Sequence, residues 1–161
     1  MALKNYYKLP PRPALLALLC LPLLAQNSGY LTVAEAPRIS GQRNGVVQAK
    51  IPISVRGGYH VNSNTPSDEY LIPLKLTWKS TGALEAGPIT YPKPSQEKYE
   101  FSEKPLSVYT GNFELLASFK VAANATAGPG IAAGQLRYQA CNDRACFPPK
   151  TIDVTVPYQV Q

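Results

Sequence analysis

From Val46 onward, apolar positions recur at every second residue rather than at the 3.6-residue spacing of a helix. Val47, Ala49, Ile51, Ile53 and Val55 form one such series, and Ile72, Leu74, Leu76 and Trp78 form the next. The alternation returns at Phe113, Leu115, Ala117, Phe119 and Val121, at Leu136, Tyr138 and Ala140, and at Ile152, Val154, Val156 and Tyr158. Successive side chains of a strand point to opposite faces, so each series predicts a strand with one buried and one solvated face. Shorter candidates lie at Leu31 to Ala34, Ile89 to Tyr91 and Leu106 to Tyr109, separated by clusters of Gly, Pro, Asn and Ser such as Asn44-Gly45.

Two segments break the pattern and read as non-strand. Residues 57–69, GGYHVNSNTPSDE, are rich in turn formers and hold the single histidine, His60. Residues 91–105, YPKPSQEKYEFSEKP, carry three prolines, alternating charges and the aromatics Tyr99 and Phe101. A loop of that length inside a compact domain is usually functional or disordered. Seven or eight short strands over about 115 residues predict an all-β, immunoglobulin-like antiparallel β-sandwich. Pro52 and Pro73 are expected at edges or bulges, and sixteen prolines spread along the chain exclude a helical bundle.

At 161 residues the chain has room for one ordinary domain, and 45% apolar residues suffice for a core. The formal charge of +6 is misleading. Lys4, Lys8 and Arg12 precede an apolar run, Ala14 to Ala25, too short to span a bilayer. This is the layout of a secretory signal peptide over residues 1–25, with cleavage expected after Ala25. The alternative at Ala34-Glu35-Ala36 is followed by Pro37, and a lipoprotein site at Cys20 would follow the large Leu19. Without those three cations, thirteen basic residues face ten acidic ones, spread singly. Neither a nucleic-acid surface nor membrane insertion after signal cleavage is expected. Residues 26–45 read as a loose entry and 46–161 as the domain, exported to the periplasm or an equivalent compartment.

Export leaves two cysteines, Cys141 and Cys146, in the sequence Cys-Asn-Asp-Arg-Ala-Cys followed by Phe147-Pro148-Pro149. In a compartment where disulfides form, one reading is an inert bridge. Both cysteines lie after Trp78 with four residues between them, so they cannot staple facing sheets as a core immunoglobulin disulfide does. A loop of about six residues also gives little entropic stabilisation, about 2.2 kcal/mol against about 4.7 for a 100-residue loop. The other reading is a redox pair, with Arg144 between the sulfurs favouring a thiolate.

The blocks Gly58-Tyr59-His60-Val61-Asn62-Ser63-Asn64, Leu71-Ile72-Pro73-Leu74, Tyr91-Pro92-Lys93-Pro94, Val108-Tyr109-Thr110-Gly111 and Leu136 to Pro149 occur in this order. Together they resemble the amino-terminal periplasmic domain of DsbD-type thiol:disulfide interchange proteins. The resemblance covers about Val46 to Pro157, and its most specific part is the Tyr-Gln-x-Cys start and Cys-x-Pro-Pro end of the last block. It implies an immunoglobulin-like domain that carries reducing equivalents. Cys146 would form mixed disulfides with partners and Cys141 would resolve them. It also implies a cap loop with a shielding aromatic, which by position falls in residues 91–105 with Phe101 the first choice and Tyr99 the second. The implied partners are thioredoxin-fold proteins, of disulfide-isomerase or cytochrome c maturation type. Some members have one more residue between the cysteines. Because the sequence ends at Gln161, the expected electron donor is a separate membrane protein.

No cofactor is expected, since exchange needs only a thiolate, access and a partner. A metal site joining His60 to the cysteines lacks the four ligands and paired spacings of structural zinc, so His60 reads as a turn histidine with ordinary hydrogen bonds. Trp78 reads as core, and Asn124-Ala125-Thr126 as a chance glycosylation pattern. No hydrolase constellation is visible. The rival to a carrier is a non-catalytic binding or adaptor module with a purely structural Cys141–Cys146 disulfide.

Overall fold

The structure is a computed structural model that describes residues 29–161. The expected signal segment, residues 1–25, with Cys20, lies outside the described residues. Twelve strands and no helix are present among them: β1 (Leu31–Val33), β2 (Ile39–Gly41), β3 (Val46–Val55), β4 (His60–Asn62), β5 (Lys75–Ser80), β6 (Leu84–Thr90), β7 (Ser95–Glu97), β8 (Leu106–Tyr109), β9 (Asn112–Val121), β10 (Gly128–Tyr138), β11 (Ala140–Cys141) and β12 (Lys150–Val160). Among these residues no helix is long and apolar enough to cross a membrane.

The strands form three four-stranded sheets, ordered β1-β3-β9-β6, β2-β12-β10-β5 and β11-β4-β8-β7. The long alternating series build the first two. Ala49, Ile51, Ile53 and Val55 of β3 and Leu115, Ala117, Phe119 and Val121 of β9 point into one core. They meet Ala132 and Leu136 of β10 and Val154, Val156 and Tyr158 of β12, so the polar partners in each series are left to solvent. Trp78 of β5 reaches Phe119 of β9 across the interior, with ring centroids 4.9 Å apart. The molecule is an all-β, immunoglobulin-like sandwich, with antiparallel pairing except for a parallel β2–β12 contact.

Several expectations need correction. The 26–45 segment is not a loose entry over its described part: β1 pairs with β3 and β2 with β12, and Leu31 is fully buried. The short candidate at Leu31 to Ala34 is β1, whereas β2, at three residues, is too short to show a period and was not anticipated. The 57–69 and 91–105 segments each hold a strand, β4 and β7. All three residues of β4 are buried, so it shows no alternation, whereas β7 is held by backbone pairing to β8 and is largely exposed. Pro52 sits inside β3 opposite Glu114 of β9 rather than at an edge. It is tolerated because β1 ends there, with the Ala34 N–H donating to its carbonyl at 3.0 Å. The Asn44-Gly45 signal is a turn between β2 and β3, with Asn44 at φ 64° and the Gly45 N–H on the Gln42 carbonyl at 2.9 Å.

Candidate functional site

The third sheet gathers the residues that the sequence singled out. After Tyr138 the chain leaves the β12-β10-β5 sheet, and at Ala140 it pairs instead with β4. Ala140 lies opposite Val61, and Cys141 opposite His60. The chain then turns through Asn142 to Ala145 and returns, so that Cys146 lies opposite Cys141 in an antiparallel bridge. The two form a disulfide with Cα atoms 3.9 Å apart. Asn142 makes the turn: its N–H donates to the Ala145 carbonyl, and its Oδ1 accepts the N–H groups of Arg144 and Ala145, each at 2.9 Å. The Phe147 N–H closes the hairpin on the Ala140 carbonyl at 2.8 Å.

The two cysteines differ in exposure. Cys141 is 0% exposed, whereas Cys146 is half-buried. Arg144 stands exposed at the tip of the turn.

Gln139, one residue before Ala140, fixes this hairpin to the rest of the sheet. Its Oε1 accepts from Asn62 Nδ2 at 3.0 Å and from the Ile72 N–H at 3.1 Å, and its Nε2 donates to the Phe147 carbonyl at 3.2 Å. Beyond the second cysteine, Phe147 stacks on Tyr30 at 4.7 Å between centroids, and Tyr30 in turn meets Tyr59 at 4.8 Å.

On the other side of Cys141, His60 is only 2% exposed and its Nε2 has no hydrogen-bond partner. That corrects the expectation of an ordinary turn histidine: both faces of β4 are covered. Tyr99 lies flat on the His60 ring, with centroids 3.9 Å apart and planes at 18°. Phe101 is farther, at 6.4 Å from His60 and 5.6 Å from Tyr99, and is 38% exposed. The Tyr99 hydroxyl donates to Glu97 Oε2 at 2.6 Å. The segment carrying both rings is folded on itself, with Lys98 Nζ on the carbonyls of Ser102 and Glu103 and the Ser102 N–H on the Tyr99 carbonyl.

Burial lowers the His60 pKa, against the opposing pull of the Glu97 and Asp143 carboxylates. Burial also pushes the Tyr99 phenol well up, reinforced by its hydrogen bond to Glu97 and by the charges of Glu97 and Asp143. The field of the cysteine hairpin, through Asp143, therefore reaches the aromatic segment. Among the described residues no cluster of three or more His, Cys, Asp or Glu is placed to hold a metal ion.

The structure thus brings Cys141, Cys146 and Arg144 onto one hairpin, with Tyr99 beside its neighbouring strand and Phe101 beyond. Sequence reasoning took His60 for a turn histidine and missed Asn62, Gln139, Glu97 and the Tyr30–Phe147 stack. Gln139 was within reach, because it stands in the Tyr-Gln-x-Cys signature, but nothing in the sequence announces that its side chain bridges three segments.

Residues 28–157 match the family model described as "Thiol:disulfide interchange protein DsbD, N-terminal". No curated protein matches the sequence. Among solved structures, the N-terminal periplasmic domain of ScsB from Proteus mirabilis is similar at TM-score 0.50 and 12% identity, over 78% of this chain and 44% of that one. This chain therefore spans less than half the length of that ScsB chain, and the likeness concerns the fold. The DsbD N-terminal domain from Neisseria meningitidis, in its reduced form, matches at TM-score 0.42 and 18% identity over 70% of this chain and 82% of that one. The seventh ScaB type I cohesin from Pseudobacteroides cellulosolvens matches at TM-score 0.46 and 15% identity, over 82% and 92%.

Proposed function

We propose a thiol:disulfide exchange function for this chain, which belongs to the family of DsbD N-terminal domains. The Cys141–Cys146 pair carries two electrons in the periplasm, taking them from a membrane donor and delivering them to thioredoxin-fold partners. The observation that carries this reading is the inequality of the two sulfurs on one short hairpin, one residue fully buried and the other half-buried. In the delivering step the Cys146 thiolate attacks the partner's disulfide and expels one partner thiolate, which takes up a proton. Cys141, deprotonated, then attacks Cys146 Sγ, remaking the intramolecular bond and releasing the second partner thiol. Arg144, exposed beside Cys146, favours the attacking thiolate.

A redox titration against a glutathione or thioredoxin couple tests the reading. A carrier equilibrates at a potential above about −300 mV, whereas a bridge that only rigidifies an adaptor loop resists reduction below it. The aromatic segment acts as the cap, excluding water and small oxidants until a partner docks. Tyr99→Ala is expected to raise the alkylation rate of the reduced cysteines several-fold, and Phe101→Ala to raise it less, because Tyr99 is the ring packed on β4. Unchanged rates in both variants would remove the cap from the proposal.

A further inference from the structure

His60 lies at the centre of the site, and neither step of the thiol exchange uses it. It is the ladder partner of Cys141, and directly opposed residues of an antiparallel pair point to the same face of the sheet. Tyr99 covers its ring, and Phe101 continues the file of near-parallel rings outward, at 4° to His60 and 16° to Tyr99. The charged and titratable groups around it come from four elements. Glu97 of β7 holds the Tyr99 hydroxyl, Tyr99 itself comes from the following loop, Asp143 from the hairpin turn and Cys141 from β11. Arg56, on the turn before β4, lies instead over the ring of Tyr59 at 5.8 Å.

We propose that His60 is a positioning residue for the exchange reaction. Its neutral ring is the seat that holds Tyr99, and with it residues 98–104, closed beside the cysteine pair, and gain of a proton by that ring releases the segment to an incoming thiol. The inference rests on the carrier reading above.

A neutral imidazole carries one N–H, a charged one carries two. With the segment closed, His60 Nε2 is buried without a partner, so the second N–H of the charged ring would have no acceptor. A cation over the Tyr99 face recovers part of that cost, but less than an unpaired buried charged donor loses. The closed form therefore binds the proton more weakly than an open form in which the ring meets water. The lowering by burial runs the same way, with Glu97 and Asp143 as the smaller, opposing influences. The sign follows from linkage. The closed arrangement keeps its full stability above the open-form pKa, about 6.5, and loses it as the pH falls below that value.

The test compares the rate at which a water-soluble trialkyl phosphine reduces the Cys141–Cys146 disulfide in the wild type and in His60→Phe, which keeps a flat buried ring but cannot titrate. Dividing one rate by the other at each pH cancels the reagent's own ionisation. The ratio of wild type to His60→Phe is expected to rise several-fold between about pH 8 and about pH 5. A flat or falling ratio overturns the proposal. Tyr99→Ala serves as a second variant should His60→Phe fold poorly. It should be reduced faster than the wild type at about pH 8 and at nearly the same rate at about pH 5, and a constant difference overturns the proposal. Neither measurement needs a protein partner. A flat ratio alongside normal trapping of partners by Cys146 therefore removes the role of His60 alone, whereas loss of trapping removes the carrier reading on which that role rests.

Discussion

In a Cys141→Ala variant, Cys146 is expected to accumulate a stable mixed disulfide with a thioredoxin-fold protein, while Cys146→Ala traps on the order of tenfold less. Access and resolution separate the two sulfurs. Cys141 is fully buried on β11, its backbone held between β4 and the returning hairpin strand. Cys146 follows an exposed turn and precedes Phe147-Pro148-Pro149, where prolines cannot continue a ladder. A partner's sulfur therefore reaches Cys146 first, and without Cys141 nothing inside the protein can displace it. Both variants should stay folded, because closing this short loop stabilises by only about 2 kcal/mol against the 5–15 kcal/mol typical of a domain. Adducts resolved by non-reducing electrophoresis and mass spectrometry check the first part, and far-UV circular dichroism the second. Equal trapping by the two variants would overturn the assignment of Cys146 as the sulfur that partners reach, and unfolding of either at room temperature would point to a structural bridge.

The sandwich was legible because its long strands obey a period of two. Ile51 and Ile53 of β3, Leu115 and Phe119 of β9, and Val154 and Val156 of β12 all fall on the buried face that the alternation assigned to them. What escaped were elements whose reasons are not periodic. β4 is covered on both faces, β7 is fixed by backbone pairing at an edge, and β2 is only three residues long. These short pieces set the limits of the domain and build the sheet that holds the cysteines. The candidate cysteine pair was visible from spacing and composition, since two cysteines with four residues between them in a predicted β-domain allow few roles. The surroundings were not visible. His60 meets Cys141 because the chain changes sheets at Gln139, and Tyr99 meets His60 because β7 pairs with β8 beside β4. Both contacts depend on strand pairings between segments that are far apart in sequence, which hydrophobic pattern alone does not specify.

Gln139→Leu is expected to cost about 2–4 kcal/mol of stability, more than breaking the neighbouring disulfide does. The glutamine joins three segments that share no strand. Asn62 belongs to β4, Ile72 to the connection before β5, and Phe147 to the chain leaving Cys146. Leucine preserves the volume but leaves the Ile72 N–H and the Phe147 carbonyl without their partner. It also leaves fully buried Asn62 with a single Nδ2 bond, to the Ile72 carbonyl at 3.1 Å. Each polar group stranded away from water costs about 1–3 kcal/mol, part of which is recovered where water can enter. Urea unfolding of the oxidised protein measures the loss. Gln96→Leu, on the exposed edge of β7, serves as the reference and should change stability by no more than about 0.5 kcal/mol. A Gln139→Leu loss below about 1 kcal/mol would mean that the hairpin is held by its own turn and by the Tyr30–Phe147 stack. A loss in the expected range makes the glutamine of the Tyr-Gln-x-Cys signature the anchor that holds the cysteine hairpin against β4.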